Sequence, residues 1–229
     1  MEHNGVSIIE YLQGSHPWIN SSKYTLFQVL LFFLGALSWL VCYADAIYDI
    51  VKKKTVSIPV LAVCLNFGWE IATCLFFVPD MGKLLVLSYW GWMIFDAFIF
   101  VSAVRYGYKQ MQVKFFIDNS RILTITAIVV SFLSQATFIT QYDLPMAPIS
   151  GYIINLPMSI GFIYLLFVPG FDGYSKLAAW SKFIGTGLIS IMFFTKYPEN
   201  NFLTVMYIAV AVFDILYIIL LYRKHKREI

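Results

Sequence analysis

Seven apolar runs take up most of this chain, and each is about as long as a helix must be to cross a hydrocarbon core of about 30 Å. They cover residues 25 to 50, 58 to 79, 84 to 106, 121 to 142, 149 to 169, 176 to 195 and 202 to 222. Lipid offers no hydrogen-bond partner to a bare backbone, so spans of this kind must be helical. The expected fold is all-α: a polytopic membrane protein built as a seven-transmembrane-helix bundle. The polar breakers between runs, such as Lys52-Lys53-Lys54, Pro79-Asp80-Met81-Gly82 and Pro198-Glu199-Asn200, are too short to hold a second domain. Residues 1–24 are expected to be an outer segment without a cleavable signal, 25–222 the transmembrane domain and 223–229 a basic cytoplasmic tail.

Basic residues set the orientation. With a cytoplasmic C-terminus, thirteen of them fall on the inner side, including Lys52, Lys53, Lys54, Arg105, Lys182 and Arg223, and only Lys23, Lys83 and Lys196 lie outside. The positive-inside rule then requires an odd number of spans and an N-terminus that is outside or lumenal. For a fungal chain the implied location is the endoplasmic reticulum membrane. Asn20-Ser21-Ser22 is a glycosylation sequon on the correct side, but it abuts the first span and is expected to stay unused. A net charge of +3, distributed over short loops, points to topology and to no nucleic-acid partner. Cys42, Cys64 and Cys74 sit in apolar runs without CxxC spacing, which argues for neither a metal site nor a disulfide framework.

The second run carries Glu70, with Asn66 one helical turn before it. A charge at the centre of a bilayer costs at least about 2.5 kcal/mol, so such a residue needs a functional or structural reason. At about 1.5 Å per residue, Glu70 lies about 13 Å from the outer end of its run, and Asp96 and Asp214 lie about 18 Å from the outer ends of theirs. Three carboxyls from three helices thus share one membrane level, where one pocket could collect them. Asp45 and Asp49, near Lys52 to Lys54, are interfacial and structural on the same arithmetic. Asn155, two residues before Pro157, and Gly185-Thr186-Gly187 are expected to be packing features.

Aromatic residues surround the deep acids: Trp69 adjoins Glu70, Trp92 precedes Asp96 by one turn, and Tyr217 follows Asp214 by three residues. Aromatic faces attract cations, and burial disfavours the charged form of a carboxyl, keeping a proton available for donation. An apolar chamber of this kind suits carbocation chemistry, and it suits a proton relay equally well.

Four stretches resemble a known family. Trp39-Leu40-Val41-Cys42-Tyr43, Leu65-Asn66-Phe67-Gly68-Trp69-Glu70, Trp92 to Asp96 with Arg105-Tyr106-Gly107, and Asp214-Ile215-Leu216-Tyr217 are similar to the integral-membrane terpene cyclases of fungal meroterpenoid and indole-diterpene pathways, the paxilline cyclase family. The resemblance covers nearly the whole chain, and its most specific piece is Asn-x-x-Trp-Glu. It implies a cyclase domain over 25–222 that protonates a prenyl chain, commonly at a terminal epoxide, and guides a cationic polyene cyclisation. Glu70 and Asp214 would be the catalytic acids, with Asp96 and Asn66 in support and Trp69, Trp92, Tyr217, Tyr43 and Trp39 lining the pocket and stabilising cations. The substrate would be a lipophilic prenylated molecule met in the lipid bilayer, and no cofactor would be needed. Asp45 departs from the apolar residue usual at that place.

The residues themselves fit protonation. Neither DDxxD nor DxDD occurs, so ionisation of a diphosphate by a magnesium cluster lacks its ligands. The alternative is a proton-coupled small-molecule transporter or seven-helix receptor, for which the deep acids would be ion sites. A retinal photoreceptor is excluded by the lack of a Lys in the seventh run.

Overall fold

The computed structural model describes residues 8–227. The first seven residues of the expected outer segment, and Glu228 and Ile229 of the tail, lie outside the described residues. Nine α-helices are found among the described residues: α1 (Ile8–Gln13), α2 (Leu26–Lys53), α3 (Val60–Phe76), α4 (Lys83–Tyr106), α5 (Lys114–Asp118), α6 (Ser120–Tyr142), α7 (Pro148–Leu165), α8 (Lys176–Lys196) and α9 (Asn201–Arg227), with a 3-10 turn over Gly107–Gln110. No strand occurs among them.

Local chemistry sets several boundaries. Thr25 and Gln28 form a reciprocal cap at the start of α2, the Thr25 hydroxyl accepting from the Gln28 N–H and the Gln28 amide oxygen accepting from the Thr25 N–H. The helix stops where Lys54 takes a left-handed conformation (φ 54°). The Ser175 hydroxyl accepts from the N–H groups of Leu177 and Ala178 and opens α8. Pro157 stays inside α7 without ending it. Arg223, Lys224 and Lys226 prolong α9, so the basic stretch is helical through Arg227.

Six helices, α2, α4, α6, α7, α8 and α9, are long and apolar enough to cross a membrane. The second of the seven expected runs falls short of that length: Pro59 precedes the first helical residue and Phe77 turns extended (φ −129°, ψ 124°), so residues 58–79 yield an apolar helix of only 17 residues. That is about 25 Å of rise. The short helix is nevertheless central, because α3 packs against α4, α6 and α7 while α2 pairs with α8 and α7 with α9. Gly68 lets α6 approach α3; a Cβ there would lie 2.5 Å from Ser131 Oγ and 2.9 Å from the Phe132 nitrogen. On the far side of the bundle Gly35 and Gly185 bring α2 and α8 together, and a Cβ on Gly185 would meet Trp39 Cδ1 at 2.8 Å. The packing expectation for Gly185 holds.

Apolar faces look outward. On α9 Val205, Ile208 and Val212 are 62%, 60% and 56% exposed along one helical face, a surface that acyl chains cover. At one end of the bundle the start of α2 meets the loop before α4, where the Tyr24 hydroxyl bonds the Asp80 carboxylate and Asn20 Nδ2 donates to the Asp80 carbonyl at 3.0 Å. The sequon amide of Asn20 is therefore engaged inside the fold. Burial and the adjacent Asp80 charge raise the Tyr24 phenol well above its ordinary range.

Candidate active site

Glu70 and Asn66, four residues apart on α3, share the face turned toward Tyr43 of α2 and Asp96 of α4. Glu70 and Asp96 are each 2% exposed. The Tyr43 hydroxyl stands 3.1 Å from Glu70 Oε1 and 3.2 Å from Asp96 Oδ2, with one proton to offer between them. Asn66 Nδ2 stands within bonding distance of both carboxyls and of the Tyr43 oxygen, with two protons to share among them. Tyr43 and Asn66 thus bridge the two carboxyls, each standing within bonding distance of both. Glu70 Oε2 is buried and receives no N–H or O–H from the protein.

This cluster borders an aromatic-lined cavity of about 130 Å³. Trp39, Tyr43, Asn66, Trp69, Glu70 and Trp92 line it, so six of the expected site residues come together there. Tyr89 joins the wall, in edge contact with Trp69 at 5.6 Å and tilted against Trp92 at 5.8 Å. Trp69 is held by its indole N–H, which donates to Ser150 Oγ at 2.7 Å. The Ser150 N–H in turn donates to Asp143, whose carboxylate also accepts from Leu144 and Ile149 and so caps the start of α7. Burial raises the Asp143 carboxyl above the usual aspartate range, against these bonds.

Asp214 and Tyr217 are placed differently. Asp214, 3% exposed, accepts both 2.6 Å and 2.9 Å bonds from Lys182 Nζ, and the third ammonium proton goes to Ser159 Oγ at 2.8 Å. Tyr217 packs against Phe162 at 5.3 Å, in the core cluster that includes Ile50, Ile99 and Leu221. Neither borders the cavity. Of the three acids expected at one pocket, only Glu70 lines the cavity, with Asp96 beside it through Tyr43 and Asn66 and Asp214 elsewhere, because depth along a helix carries no information about azimuth. Lys182 is the residue that the sequence reading misplaced: counted with the inner basic residues, it is 2% exposed and buried in α8. Its signal was the seventh position of an apolar helix, with Asp214 at a matching depth across the bundle. Asp45 is half-buried with Oδ2 unpartnered, while Asp49 is ion-paired with Lys53 at 2.8 Å. No group of three or more His, Cys, Asp or Glu side chains converges among the described residues.

A helical bundle with lipid-facing exteriors, and a buried carboxyl at the wall of an aromatic cavity with a second carboxyl beside it, defines a membrane-embedded protein for apolar small molecules. The chain belongs to the Pyr4-like transmembrane terpene cyclases, whose family model matches residues 17–227. It is similar to the terpene cyclase cdmG of Talaromyces verruculosus, 21% identical over 85% of this chain and 82% of that one. It is likewise similar to the terpene cyclase nodB of Hypoxylon pulicicidum, 24% identical over 71% and 67%, and to the terpene cyclase pyr4 of Aspergillus fumigatus, 27% identical over 33% and 31%. No solved structure matches it. The protein is a multi-pass membrane terpene cyclase, which sets aside the transporter and receptor alternatives.

Proposed function

We propose that this cyclase acts by protonation, with Glu70 as the acid. The observation that carries the reading is Glu70 Oε2, a carboxyl oxygen buried at the cavity wall without a protein donor. Two carboxyls this close in an apolar interior cannot both be ionised, so the Glu70 and Asp96 pair retains a proton. Glu70 passes that proton to the oxygen of a terminal epoxide on a prenyl chain, and the C–O bond breaks. Alkene π pairs then form the ring C–C bonds, and the last cation returns one proton on forming an alkene, so substrate and product are isomers. Trp39, Trp69 and Trp92 offer their faces to the advancing cation. Tyr43 and Asn66 hold the carboxyl pair in position.

In this reading α3 is a seventh span, made short by Pro59 and surrounded by longer helices that thin its local environment. The N-terminus is lumenal and the C-terminus cytoplasmic in the endoplasmic reticulum membrane, supported by Lys52 to Lys54, Arg105 and Arg223 at one end of the bundle even after Lys182 leaves the count. The substrate is a lipophilic, prenylated and epoxidised molecule, as expected for meroterpenoid or indole-terpenoid biosynthesis. Expression in a microbial host that supplies an epoxidised prenyl aromatic tests this directly. A new compound of unchanged mass is the expected result, and unaltered epoxide beside well-expressed protein would overturn it.

A further inference from the structure

Two more buried side-chain oxygens without a protein partner belong to residues of the cavity wall: Asn155 Oδ1 on α7 and Thr186 Oγ1 on α8. Both residues fall in stretches whose composition alone suggests packing. For Gly185 that is the whole explanation, but it leaves Thr186 untouched, because a side chain on neighbouring Gly187 would meet nothing within 4 Å.

Thr186 departs from a pattern that several hydroxyls of the bundle share. They satisfy themselves on the carbonyl one turn back: Ser88 on Leu84, Ser102 on Phe98, Thr124 on Ser120, Thr140 on Ala136 and Ser190 on Thr186 itself, while Ser38 and Ser131 bond a carbonyl of a neighbouring helix. Thr186 is 5% exposed and makes no such bond. A buried hydroxyl left without a partner costs free energy that a back-bond would remove at once, so its rotamer is explained by a partner arriving in the cavity. Its own carbonyl is fixed from the other side, accepting from Ser190 Oγ at 2.8 Å and from the Tyr152 hydroxyl at 3.4 Å. The wall is therefore held at this point by α7 and α8 together, away from the α3 and α4 helices that carry the acids.

We propose that Asn155 and Thr186 form a subsite for a hydroxyl on the polar head of the prenylated substrate. This rests on the cavity being the cyclisation site. An amide oxygen needs a donor and a threonine hydroxyl can donate or accept, so a phenolic or enolic O–H satisfies both, giving its proton to Asn155 and accepting from Thr186. An ether accepts only. The site thereby selects a prenyl chain attached to a hydroxylated head over a headless terpene, and it sets which end of the chain reaches Glu70.

The test uses purified protein in detergent and two unreactive probes, a farnesylated phenol without an epoxide and its O-methyl ether. Quenching of tryptophan fluorescence reads occupancy, since Trp39, Trp69 and Trp92 line the cavity. The free phenol is expected to bind roughly tenfold more tightly than the ether, and Thr186→Val or Asn155→Leu to bring the two within about twofold. Ligand-free Thr186→Val should melt at the same or a higher temperature, because it loses an unpartnered hydroxyl and keeps its shape. Equal binding of the probes by the unaltered protein, no binding of either, or a lower melting temperature for Thr186→Val overturns the subsite. A phenol preference in a protein that leaves the epoxidised phenol unconverted keeps the subsite and overturns the protonation reading instead.

Discussion

Two pairs of buried side chains sit in the middle of this bundle, and they resolve the same electrostatic problem in opposite ways. Asp214 meets an ammonium, with all three Lys182 protons directed to oxygen. Glu70 meets another carboxyl, and only the neutral donors Tyr43 and Asn66 attend it. A salt-bridged carboxylate is neutralised by its partner and holds no proton to give. A carboxyl facing a second carboxyl in apolar surroundings must hold one between them. On the proposed reading the pair beside the cavity holds the proton, with Glu70 as the trigger and Asp214 as the counter-ion of Lys182.

The sharpest way to break this contrast is Glu70→Gln. An amide keeps the bonds to Tyr43 and Asn66 but has no acidic proton, so cyclisation should fall by on the order of 10² to 10⁴-fold while the protein still inserts and elutes as a folded species. Asp96→Asn should slow the reaction less, by roughly tenfold, because Glu70 retains its own proton and loses only its partner. Isomer formation measured per unit of folded protein in membranes separates the two. Equal loss in both would mean that the proton resides on Asp96.

Next in size comes the ion pair. Asp214→Asn leaves a buried ammonium uncompensated, at a cost of about 3–5 kcal/mol, and should lower both the melting temperature and the yield of the protein. Replacing both partners, Lys182→Met with Asp214→Leu, should restore stability and most of the turnover. The family resemblance assigns Asp214 as an acid in its own right. If that is its role, the double variant will be stable and inactive, so the experiment decides between counter-ion and acid.

How much of this was legible in the sequence follows from what a one-dimensional pattern encodes. Apolar runs located every long helix to within a few residues, and the Thr25-x-x-Gln28 cap and the Pro59 start can be read directly. Six site residues, from Trp39 to Trp92, were reached through motif and helical spacing, since Asn66 and Glu70 at i and i+4 must share a face. Azimuth between helices was not legible: it depends on contacts such as Gly35 against Gly185, which bring Trp39 over Lys182. Tyr217 was therefore assigned to the pocket although it packs against Phe162, and Lys182 was counted with the inner basic residues although it is buried. The short helix α1 escaped because its apolar residues, Ile8 and Tyr11, have meaning only against Val86.

A smaller effect is expected at Asp143, which fixes the α7 terminus behind Trp69. Asp143→Ala frees three N–H groups, that of Ser150 buried and those of Leu144 and Ile149 partly so, and should cost about 1–3 kcal/mol. Its pH dependence has a definite sign. The folded protein holds this carboxyl above the ordinary value of 3.8, so it binds the proton more readily folded than unfolded. The stability this contributes is fully present below 3.8 and is lost as pH rises through the raised folded value. Asp143→Asn, which is uncharged throughout, should flatten that segment of the melting curve in a titration beginning near pH 4.

The finest comparison is between aromatic rings that border the cavity and one that does not. Trp92 lines the wall and is tied to Phe32 by an edge contact at 6.2 Å, so its face is available to a cation while its position is fixed. Tyr217 has the same aromatic chemistry but lies in the core against Phe162. A cation–π contact contributes about 0.5–2 kcal/mol, enough to change a partition between cyclisation and early proton loss by a few-fold without stopping the reaction. Trp92→Leu and Trp69→Leu should therefore release partly cyclised or prematurely deprotonated products beside the normal ring system. Tyr217→Phe, which keeps the ring and its packing, should leave the product ratio unchanged. Gas or liquid chromatography of products from matched amounts of folded protein reads the ratio directly. A shifted ratio in Tyr217→Phe, with none in Trp92→Leu, would move the cation's path from the cavity described here toward the α9 side of the bundle.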